Sequence, residues 1–501
     1  MNVAVALLDP NLRCHPDKAS YICGTSTLSY HELYRASKNF SLLLVERGIV
    51  PGERVLIVLP DAFAFPIAFL GCVLAGAVAV VLGTDRSLED VARVLKDSGA
   101  RLLVADSSIS ATIKAAGCEI AVLTCQESGP HDSPVTSSEE WKPYQPAAGD
   151  FAYMLYSSGS TGKPKGIPHR HNDLLLACTL VGDAVLALTA NDVIFSVSKF
   201  SFAYGLVNSL AFPLFFGATA IIHPDKPSPV ALLNIIHSCG PTVLFAVPTI
   251  YSQIIRSCTD EHLKLPLRMC VSAGEALPAA IFDEWQRLTG LEIIDGIGST
   301  EMTYIYIANR PGHAKPGSTG QAIPGYQLRL VDDEDNDVPP GNVGNLLVRG
   351  ETSAPFYLNM PGQSIETMLP DGFVRTGDVF VERDGFYYYQ GRNDDMIKSG
   401  GQWVSAARVE DVLRGHPAVA ECAVVAVSAG GLVKPGAFVM LAPGTNEGAY
   451  LARHLRNHVM ERLPDFMCPV RFTFVADLPR TATGKIMRFQ LRNTKQTNNK
   501  L

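Results

Sequence analysis

Paired cysteines are missing from this sequence, although it contains eleven cysteines. No two of them form a Cys-x-x-Cys motif, the spacing typical of zinc and redox sites, so we predict no zinc site. Scattered cysteines suit reduced thiols, as in a cytosol. The N-terminus has no basic region followed by a long apolar stretch, so we expect no signal peptide and a cytoplasmic protein.

Clustered positive charge is missing as well. The 501 residues carry a formal net charge of −7, and the lysines and arginines form no run. Nucleic-acid binding normally depends on such a basic patch, so no nucleic-acid partner is expected. Charged residues make up 18% and hydrophobic residues 47% of the chain, which fits a globular protein with more than one domain.

One uncharged stretch, Ala62–Thr84, is long enough to span a bilayer. Pro66 and two glycines interrupt it. We therefore predict a buried helix through Leu74, a turn at Gly76 and a core strand over Ala77–Leu82, and we expect no membrane partner. A transmembrane span is the alternative interpretation.

The pattern of the chain predicts an α/β fold. Short apolar segments alternate with segments of helical spacing, such as Leu88–Lys96 and Val230–Ser238, which is typical of parallel sheets covered by helices. The predicted buried strands are 55–59, 102–104, 120–123, 193–197, 218–222, 243–247, 269–272 and 292–295. Antiparallel ribbons, forming a β-ribbon or barrel part of the same domain, are predicted over 327–331, 343–348 and 385–390.

A change of pattern near Arg392 predicts a domain boundary. We expect a large domain over residues 1–392 and a small α+β domain over 393–501, within the usual range of domain sizes. In the small domain the predicted helices are 409–413 and 450–462, and the predicted strands are 421–427, 437–441 and 471–475. The polar stretch Asn493–Leu501 is expected to fray.

The densest group of anion-binding residues follows the apolar strand Phe151–Leu155. Tyr156–Gly166 reads Tyr-Ser-Ser-Gly-Ser-Thr-Gly-Lys-Pro-Lys-Gly. Glycines let backbone N–H groups converge on an anion, and hydroxyl and ammonium groups add charge-assisted hydrogen bonds. The common Gly-x-x-x-x-Gly-Lys-Ser/Thr motif does not apply, because Pro164 follows Lys163. The sequence predicts a polyphosphate site of another type, with a plain surface loop as the alternative.

This loop resembles the phosphate signature of the adenylate-forming superfamily, which includes acyl-CoA synthetases, adenylation domains of peptide synthetases and firefly-type luciferases. Further segments match that superfamily in the same order: Gly296–Glu301, Arg375–Asp378, Gly391–Lys398 and Pro479–Lys485. The resemblance covers nearly the whole chain. It implies that a carboxylate reacts with ATP to give acyl-AMP and pyrophosphate, and that a thiol then gives a thioester and AMP.

The resemblance also implies a role for each matching residue. Thr300 would donate to the α-phosphate, Glu301 would bind Mg²⁺, which prefers oxygen ligands, and Lys485 would stabilise charge in the first transition state. The other nucleotide contacts would be Ser157, Ser158, Gly159, Ser160, Thr161, Gly162, Lys163 and Lys165 at the phosphates, Gly274, Glu275 and Ala276 along the adenine, Asp295 and Gly296 beside them, and Asp378 and Arg392 at the ribose.

Plainer interpretations remain open for several of these residues. Glu301 could cap a helix, Asp378 could belong to an ordinary turn, and Lys485 could be one of many surface lysines. The segment Ser272–Ala276 could be a simple strand-to-helix turn.

The small domain is implied to rotate between the two steps. Asp394 matches the hinge of the superfamily. Gly400 and Gly401 would leave room for the pantetheine arm of coenzyme A, and Trp403 would pack on it or belong to a core or interface.

The implied acid pocket resembles that of benzoate- and anthranilate-type aryl-CoA ligases. The segments Lys199–Asn208 and Asp295–Glu301 carry this likeness. A flat apolar slot for an aromatic ring would be formed by Phe202, Ala203, Tyr204, Gly298, Tyr304 and Ile305, each of which could instead be core. The benzoate-type ligases carry a histidine where this chain has Tyr304, and a phenol can meet an amino or hydroxyl substituent of the ring.

The acceptor and the assembly are expectations of the same kind. The sequence ends soon after Lys485, so we expect no fused carrier domain and take free CoA as the acceptor. A stand-alone aryl-adenylating enzyme that loads a separate carrier protein is the alternative. A non-enzymatic nucleotide-binding protein would require Glu301 and Lys485 to be vestigial. Either a monomer or a homodimer is expected.

Overall fold

The computed structural model describes residues 1–115, 120–126, 141–158, 164–225, 227–258, 262–399, 402–429, 432–480 and 486–493. The chain forms two compact units. The first unit comprises Met1–Leu328 and Val348–Arg375, and the second comprises Arg329–Leu347 and Thr376–Leu501. Of the residues predicted to fray, Asn493 ends the last helix, and residues 494–501 lie outside the described residues.

The strands are, in chain order, β1 Ala19–Cys23, β2 Ser26–Ser29, β3 Arg54–Val58, β4 Val78–Val81, β5 Leu102–Ala105, β6 Ala121–Thr124, β7 Phe151–Ser158, β8 Pro164–Arg170, β9 Val193–Ser196, β10 Thr219–Ile222, β11 Val243–Ala246, β12 Met269–Ser272, β13 Ile293–Gly298, β14 Ile305–Ala308, β15 Gln321–Ala322, β16 Gln327–Val331, β17 Val343–Arg349, β18 Val374–Arg383, β19 Phe386–Arg392, β20 Ile397–Ser399, β21 Gln402–Val404, β22 Val419–Ala429, β23 Leu432–Leu441 and β24 Phe472–Phe474.

The α-helices are α1 Val3–Cys14, α2 Tyr30–Glu46, α3 Ala64–Leu74, α4 Leu88–Ser98, α5 Ser107–Ala115, α6 His171–Ala177, α7 Ala203–Leu206, α8 Phe212–Phe216, α9 Pro229–Cys239, α10 Pro248–Ser257, α11 Ala279–Thr289, α12 Pro361–Thr367, α13 Ala406–Arg414, α14 Ala449–Met460 and α15 Arg488–Asn493. Short 3₁₀ turns cover Thr300–Met302, Asn393–Asp395 and Asp465–Met467, and π-helical turns cover Cys178–Asp183 and Val207–Ala211.

Local signals explain where the helices begin and end. Helix α4 starts after Ser87, whose hydroxyl accepts a hydrogen bond from the backbone N–H of Asp90, and it ends at Gly99 in the left-handed conformation. Helix α2 starts with a capping box between Ser29 and Glu32. These caps satisfy backbone groups that a helix end otherwise leaves without partners.

A nine-stranded sheet in the first unit has the order β15-β14-β13-β12-β11-β9-β10-β1-β2. Its central strands are parallel, from β13 through β12, β11, β9 and β10 to β1. Helices α9, α10 and α11 cover one face with a core that includes Trp285, Tyr251 and Phe195. The carboxyl ends of the parallel strands therefore share one edge, which is where open α/β sheets bind ligands.

A six-stranded sheet in the same unit has the order β6-β5-β3-β4-β7-β8. Strands β6, β5, β3, β4 and β7 are parallel, and β8 returns antiparallel to β7. The prediction of a buried strand over Ile120–Leu123 is wrong about burial, because β6 is at the edge of the sheet and none of its residues is buried. Pro164 is tolerated in β8 because β8 is the opposite edge strand.

The uncharged stretch Ala62–Thr84 folds as its interrupting proline and glycines predict. Helix α3 is buried at every position, Gly76 has a φ of 80°, and β4 is buried at every position. In the described parts of the chain, no helix has the length and apolarity needed to cross a membrane.

The second unit is built around a smaller core. Its three-stranded sheet has the order β22-β23-β24, and helices α13 and α14 contribute Val409, Leu413, Leu455 and Val459 to the same core. A separate sheet has the order β16-β17-β18-β19. Residues 329–347 and 376–392 thus belong to the same compact unit as the C-terminal part of the chain. This unit therefore begins earlier in the sequence than the predicted boundary after residue 392. That boundary concerns where the chain pivots, and it stays a prediction.

Candidate active site

Strands β7 and β8 frame the predicted phosphate loop. They pair antiparallel, with Ser157 opposite Lys165 and Ser158 opposite Pro164. Gly159, Ser160, Thr161, Gly162 and Lys163 lie outside the described residues, and at Ser158 only the backbone is described. The structure therefore brings the predicted residues Ser157 and Lys165 together at the base of the loop.

One tyrosine next to this loop, Tyr357, contacts a cation through its ring and a carboxylate through its hydroxyl. The Lys165 Nζ lies 4.6 Å from the centre of the Tyr357 ring, within the range of a cation–π contact. The Tyr357 hydroxyl donates a hydrogen bond of 2.7 Å to Oε1 of Glu301. The backbone also links this segment to both neighbours, since Leu358 N donates to Gly166 O and Ala354 N donates to Glu301 O. Glu301 is thus fixed beside β8, the strand that follows the predicted phosphate loop.

Thr300 and Glu301 belong to a 3₁₀ turn that follows β13. Ser299 caps the turn, since its hydroxyl accepts from Met302 N at 3.3 Å. The Oε2 atom of Glu301 receives no hydrogen bond from the part of the chain that the structure describes, whereas Oε1 accepts from Tyr357. One carboxylate oxygen is therefore held in place and the other remains available to a ligand.

The predicted adenine segment lies at the carboxyl end of β12. Gly274 has a φ of 90°, a conformation that favours glycine, and it is exposed. Glu275 has a structural partner, because Oε2 accepts from the hydroxyl of Thr249 at 2.7 Å and from its N–H at 3.2 Å, near the start of α10. The exposed backbone of Gly274 and Ala276 thus borders the sheet edge while the Glu275 side chain bonds to a helix.

Asp295 lies on β13 directly beside Ser272 of β12. Its side chain is 5% exposed, and burial raises the pKa of this carboxyl well above its ordinary value. Its Oδ1 atom makes no hydrogen bond of good geometry with the described residues, although the neighbouring Ser272 hydroxyl lowers the pKa in part. A buried acceptor of this kind is costly unless a ligand supplies the donor. Gly296, the next residue, is buried on the same strand.

Aromatic rings pack against one another at the predicted acid pocket, where Tyr304 is only 2% exposed. The rings of Tyr204 and Tyr304 lie nearly parallel, with centroids 5.9 Å apart, and Phe212 meets Tyr304 edge-on at 5.2 Å. Phe202 and Ala203 are half-buried at the start of α7, and Ile305 is buried on β14. At Gly298 an added Cβ would lie 2.3 Å from the carbonyl oxygen of Tyr304, so only glycine fits there.

The phenol of Tyr304 already has a partner inside the protein. Its hydroxyl donates to Oδ1 of Asn208, which is fully buried. The Asn208 amide in turn donates to the Ser196 hydroxyl at 3.4 Å. Because the single phenolic proton is used, the oxygen of Tyr304 can offer a bound acid only its acceptor capacity.

The predicted ribose residues meet in the second unit. Asp378 is 5% exposed, and Arg392 Nη1 donates to its Oδ1 at 3.1 Å and to Thr376 O at 3.0 Å. Strands β18 and β19 place the two residues opposite each other in register. The carboxylate and the guanidinium therefore form one preassembled pair.

The predicted hinge also lies in the second unit. Asp394 is in the 3₁₀ turn Asn393–Asp395, none of whose residues is buried. Arg492 of α15 donates to Asp394 O at 2.7 Å and to Asp395 Oδ1 at 2.5 Å. Gly400, Gly401 and Lys485 lie outside the described residues, and only the backbone of Trp403 is described.

The sequence assigns no role to three residues around the site, although one of them, Asn208, ends the segment predicted for the acid pocket. Tyr357 orients Glu301, and Asn208 holds Tyr304. Thr303 is one of the two residues between Glu301 and Tyr304. No periodicity marks Tyr357 or Asn208, because their roles depend on contacts between segments far apart in the chain.

Comparison with known proteins assigns the chain to a class. Residues 8–358 match the AMP-binding enzyme family, and residues 408–485 match the AMP-binding enzyme C-terminal domain. The chain belongs to the AMP-binding enzyme family. The prediction of an adenylate-forming α/β enzyme is therefore confirmed.

Individual relatives narrow this class. A benzoate–CoA ligase of Thauera aromatica is 38% identical, over 98% of this chain and 96% of that protein. A benzoate CoA ligase structure from Burkholderia xenovorans LB400 has a TM-score of 0.89 at 37% identity, covering 98% of this chain and 100% of that one. The anthranilate CoA ligase AuaEII, solved with anthranoyl-AMP, has a TM-score of 0.90 at 35% identity, covering 98% and 97%. The predicted resemblance to aryl-CoA ligases is confirmed.

Proposed function

We propose that this protein is an AMP-forming aryl-acid:CoA ligase that activates a benzoate-like acid. The observation that carries the proposal is the short segment from Thr300 to Tyr304. It joins the carboxylate of Glu301, fixed beside the phosphate-loop strand, to the aromatic pocket around Tyr304. A site that activates an aromatic acid with ATP needs these two halves next to each other, because the acid must reach the α-phosphate.

The chemistry proceeds in two displacements. A carboxylate oxygen attacks the α-phosphorus of ATP, and the bond to pyrophosphate breaks to leave a mixed anhydride with AMP. The CoA sulfur, as its thiolate, then attacks the carbonyl carbon, and the bond to AMP breaks. Activation is needed because a free carboxylate has no good leaving group, whereas AMP leaves readily.

Glu301 fits a Mg²⁺ ion. Magnesium is usually bound by one or two carboxylates together with phosphate oxygens and water. Oε1 of Glu301 is occupied by Tyr357, which orients the group and leaves Oε2 for the metal. When bound, the ion would neutralise phosphate charge, while Lys165 supplies a further fixed cation at the base of the loop.

The remaining nucleotide contacts follow from charge and burial. Thr300 carries the hydroxyl assigned to the α-phosphate. The unpartnered Oδ1 of Asp295 suits an N–H donor such as the adenine amino group. In the second unit, Asp378 can accept from the ribose hydroxyls, and Arg392 keeps its carboxylate oriented. These assignments are part of the proposal.

The small domain supplies the parts that rest on the resemblance alone. Lys485 is proposed to contact the carboxylate and the α-phosphate in the first step. Asp394 is proposed as the pivot between the steps, and Gly400, Gly401 and Trp403 as the lining of the CoA channel. Free CoA is the proposed acceptor. The cytoplasm, where cysteines stay reduced, is the proposed location.

The pocket favours a planar ring. Its walls are aromatic faces and edges, which contact a flat acid well. Because Tyr304 donates to Asn208, a ring substituent that itself donates, such as an amino or hydroxyl group, complements it better than a pure acceptor. We therefore propose aminobenzoate or hydroxybenzoate ahead of benzoate.

The test is an AMP-release assay with ATP, Mg²⁺ and CoA as the only thiol. The acids are benzoate, 2-aminobenzoate, 4-hydroxybenzoate, cyclohexanecarboxylate and hexanoate. We expect AMP and aryl-CoA from the flat acids, with much lower kcat/KM for the two aliphatic acids. Aryl-AMP without aryl-CoA would favour a carrier protein as acceptor. A preference for hexanoate would remove the aryl assignment.

A further inference from the structure

We propose that Thr303 is a positioning residue for this reaction, holding Glu301 and Tyr304 in fixed relation through a strained turn. The inference rests on the proposed function, since it concerns the residues on either side of Thr303. It assigns a role to the buried group formed by Thr303, His169 and Thr352.

The backbone at Thr303 has an unusual conformation. Its φ is 67° and its ψ is −46°, and Tyr304 N donates to Met302 O at 2.7 Å across it. This is a γ-turn with positive φ, the rare and strained form. A β-branched residue seldom adopts positive φ, so the surrounding structure must hold it there.

Side-chain hydrogen bonds supply that restraint. Thr303 is 1% exposed, and its hydroxyl donates to Thr352 O at 3.1 Å and lies 3.1 Å from Nδ1 of His169. A hydroxyl has one proton, so with that proton on Thr352 O the His169 Nδ1–H is the donor to Thr303. The Thr352 hydroxyl closes the group by donating to Met302 O at 2.9 Å.

His169 is itself immobilised. It is fully buried, its ring stacks on Tyr153 with centroids 4.8 Å apart, and Nδ1 lies 3.5 Å from Oδ2 of Asp173. His169 belongs to β8, the strand that also carries Lys165. The Thr303 hydroxyl therefore ties the turn to the strand that leaves the phosphate loop.

The turn at Thr303 therefore sets the position of both Glu301 and Tyr304. The γ-turn reverses the chain between Glu301 and Tyr304, so a change in its angle moves the carboxylate relative to the phenol. Without the hydroxyl the strained conformation has no tie to β8, and a relaxed turn would shift both groups. Displacements of about 1 Å can lower rates by about 100-fold.

The experiment compares three Thr303 variants with one control. Thr303→Val keeps the shape and removes the hydroxyl, Thr303→Ser keeps the hydroxyl, and Thr303→Gly removes the hydroxyl at a residue that accepts positive φ. The control is Thr219→Val, because the buried Thr219 hydroxyl also donates to a backbone carbonyl, Ala19 O at 2.7 Å, on a strand away from the site.

Two measurements separate positioning from stability. We expect Thr303→Val and Thr303→Gly to lower kcat/KM for aryl-AMP formation on the order of 10- to 100-fold and to weaken Mg²⁺-dependent ATP binding by calorimetry. Thr303→Ser should restore both, and Thr219→Val should lower Tm while changing neither. Because glycine relieves the strain, Thr303→Gly keeps the test valid if Thr303→Val fails to fold.

The outcomes that overturn each proposal differ. If Thr303→Val and Thr303→Gly bind ATP with the same affinity and the same Mg²⁺ dependence as Thr219→Val, Thr303 serves the fold alone. Wild-type protein that binds Mg²⁺-ATP but forms no aryl-CoA would instead remove the proposed function. The calorimetric comparison would still decide the role of Thr303 in that case.

Discussion

Two 3₁₀ turns of three residues carry predicted functional groups, and they are stabilised in opposite ways. Thr300–Met302, in the first unit, is followed by the buried Thr303 and is held by hydrogen bonds to neighbouring segments, from the Thr303 and Thr352 hydroxyls to backbone carbonyls and from Tyr357 to the Glu301 carboxylate. Asn393–Asp395, in the second unit, has no buried residue and is held by arginines. The first turn carries the proposed metal ligand, and the second carries the proposed pivot.

The difference matches what each turn has to do. A buried group that loses its hydrogen-bond partner costs about 1–3 kcal/mol, so the first turn has few alternative arrangements of low energy. An exposed ion pair contributes only about 0–1 kcal/mol and weakens with salt, so the second turn can exchange its partners cheaply. A metal ligand that must stay in place needs buried hydrogen bonds, whereas a segment that pivots needs exposed ion pairs that can exchange.

Helix α15 connects the second turn to a buried part of its own unit. Arg488 donates to both oxygens of Glu410, at 3.0 Å and 2.8 Å, and Glu410 also accepts from Val424 N at 2.8 Å. Glu410 is 2% exposed, whereas the second partner of Arg488, Asp395, lies 3.7 Å away and is partly exposed. The helix that follows Lys485 is thus anchored to the core at one contact and to the turn Asn393–Asp395, the proposed pivot, at another.

The largest expected effect separates the two steps of the reaction at Lys485. Lys485→Ala should lower aryl-AMP formation on the order of 10²–10³-fold, because it removes a charge that stabilises the transition state. Thioester formation from supplied aryl-AMP should be nearly unchanged. Single-turnover assays of each half-reaction measure this, with Lys434→Ala as the control. Equal losses in both halves would remove Lys485 from the first step.

The hinge should show the reverse selectivity. Asp394→Pro restricts φ at the proposed pivot, so we expect aryl-AMP formation to survive and CoA transfer to fall by more than about tenfold. Asp394→Ala is the matched control, since it removes the carboxylate and keeps the backbone free. Unchanged transfer in Asp394→Pro would place the pivot elsewhere or make rotation unnecessary.

The same contrast explains what the sequence could predict. Strands such as β12 and turns such as Gly76 follow from local composition, so their positions were predicted closely. The grouping of Ser157 with Lys165 follows from one hairpin. The contacts of Glu301 with Tyr357 and of Thr303 with His169 join segments that are distant in sequence, and no local pattern encodes them. Strand β8 is not predicted, because two prolines and a glycine within it favour a loop.

A smaller effect is expected at Tyr304. Tyr304→Phe leaves Oδ1 of the buried Asn208 without its donor, which should cost about 1–3 kcal/mol of stability. If the phenol also accepts from a ring substituent, kcat/KM for 2-aminobenzoate or 4-hydroxybenzoate should fall more than that for benzoate. Tyr204→Phe is the control, because the Tyr204 hydroxyl donates to a backbone carbonyl, Val271 O at 3.2 Å. Equal losses for all acids would mean that Tyr304 only shapes the pocket.

The smallest expected effect tests whether exposed ion pairs hold the turn of the proposed pivot. Arg492→Gln removes the ion pair with Asp395 and the hydrogen bond to Asp394 O, and it should cost at most about 1 kcal/mol of unfolding free energy. Its effect on the ratio of CoA transfer to aryl-AMP formation should appear at low salt and fade near 1 M salt, where charges are screened beyond about 3 Å. Thr303→Val should show no such salt dependence, because the hydrogen bonds that it removes are buried and therefore little affected by screening. A salt-independent effect of Arg492→Gln would contradict the contrast between the two turns, since it would mean that the hinge is held by packing around α15 rather than by exchangeable charge.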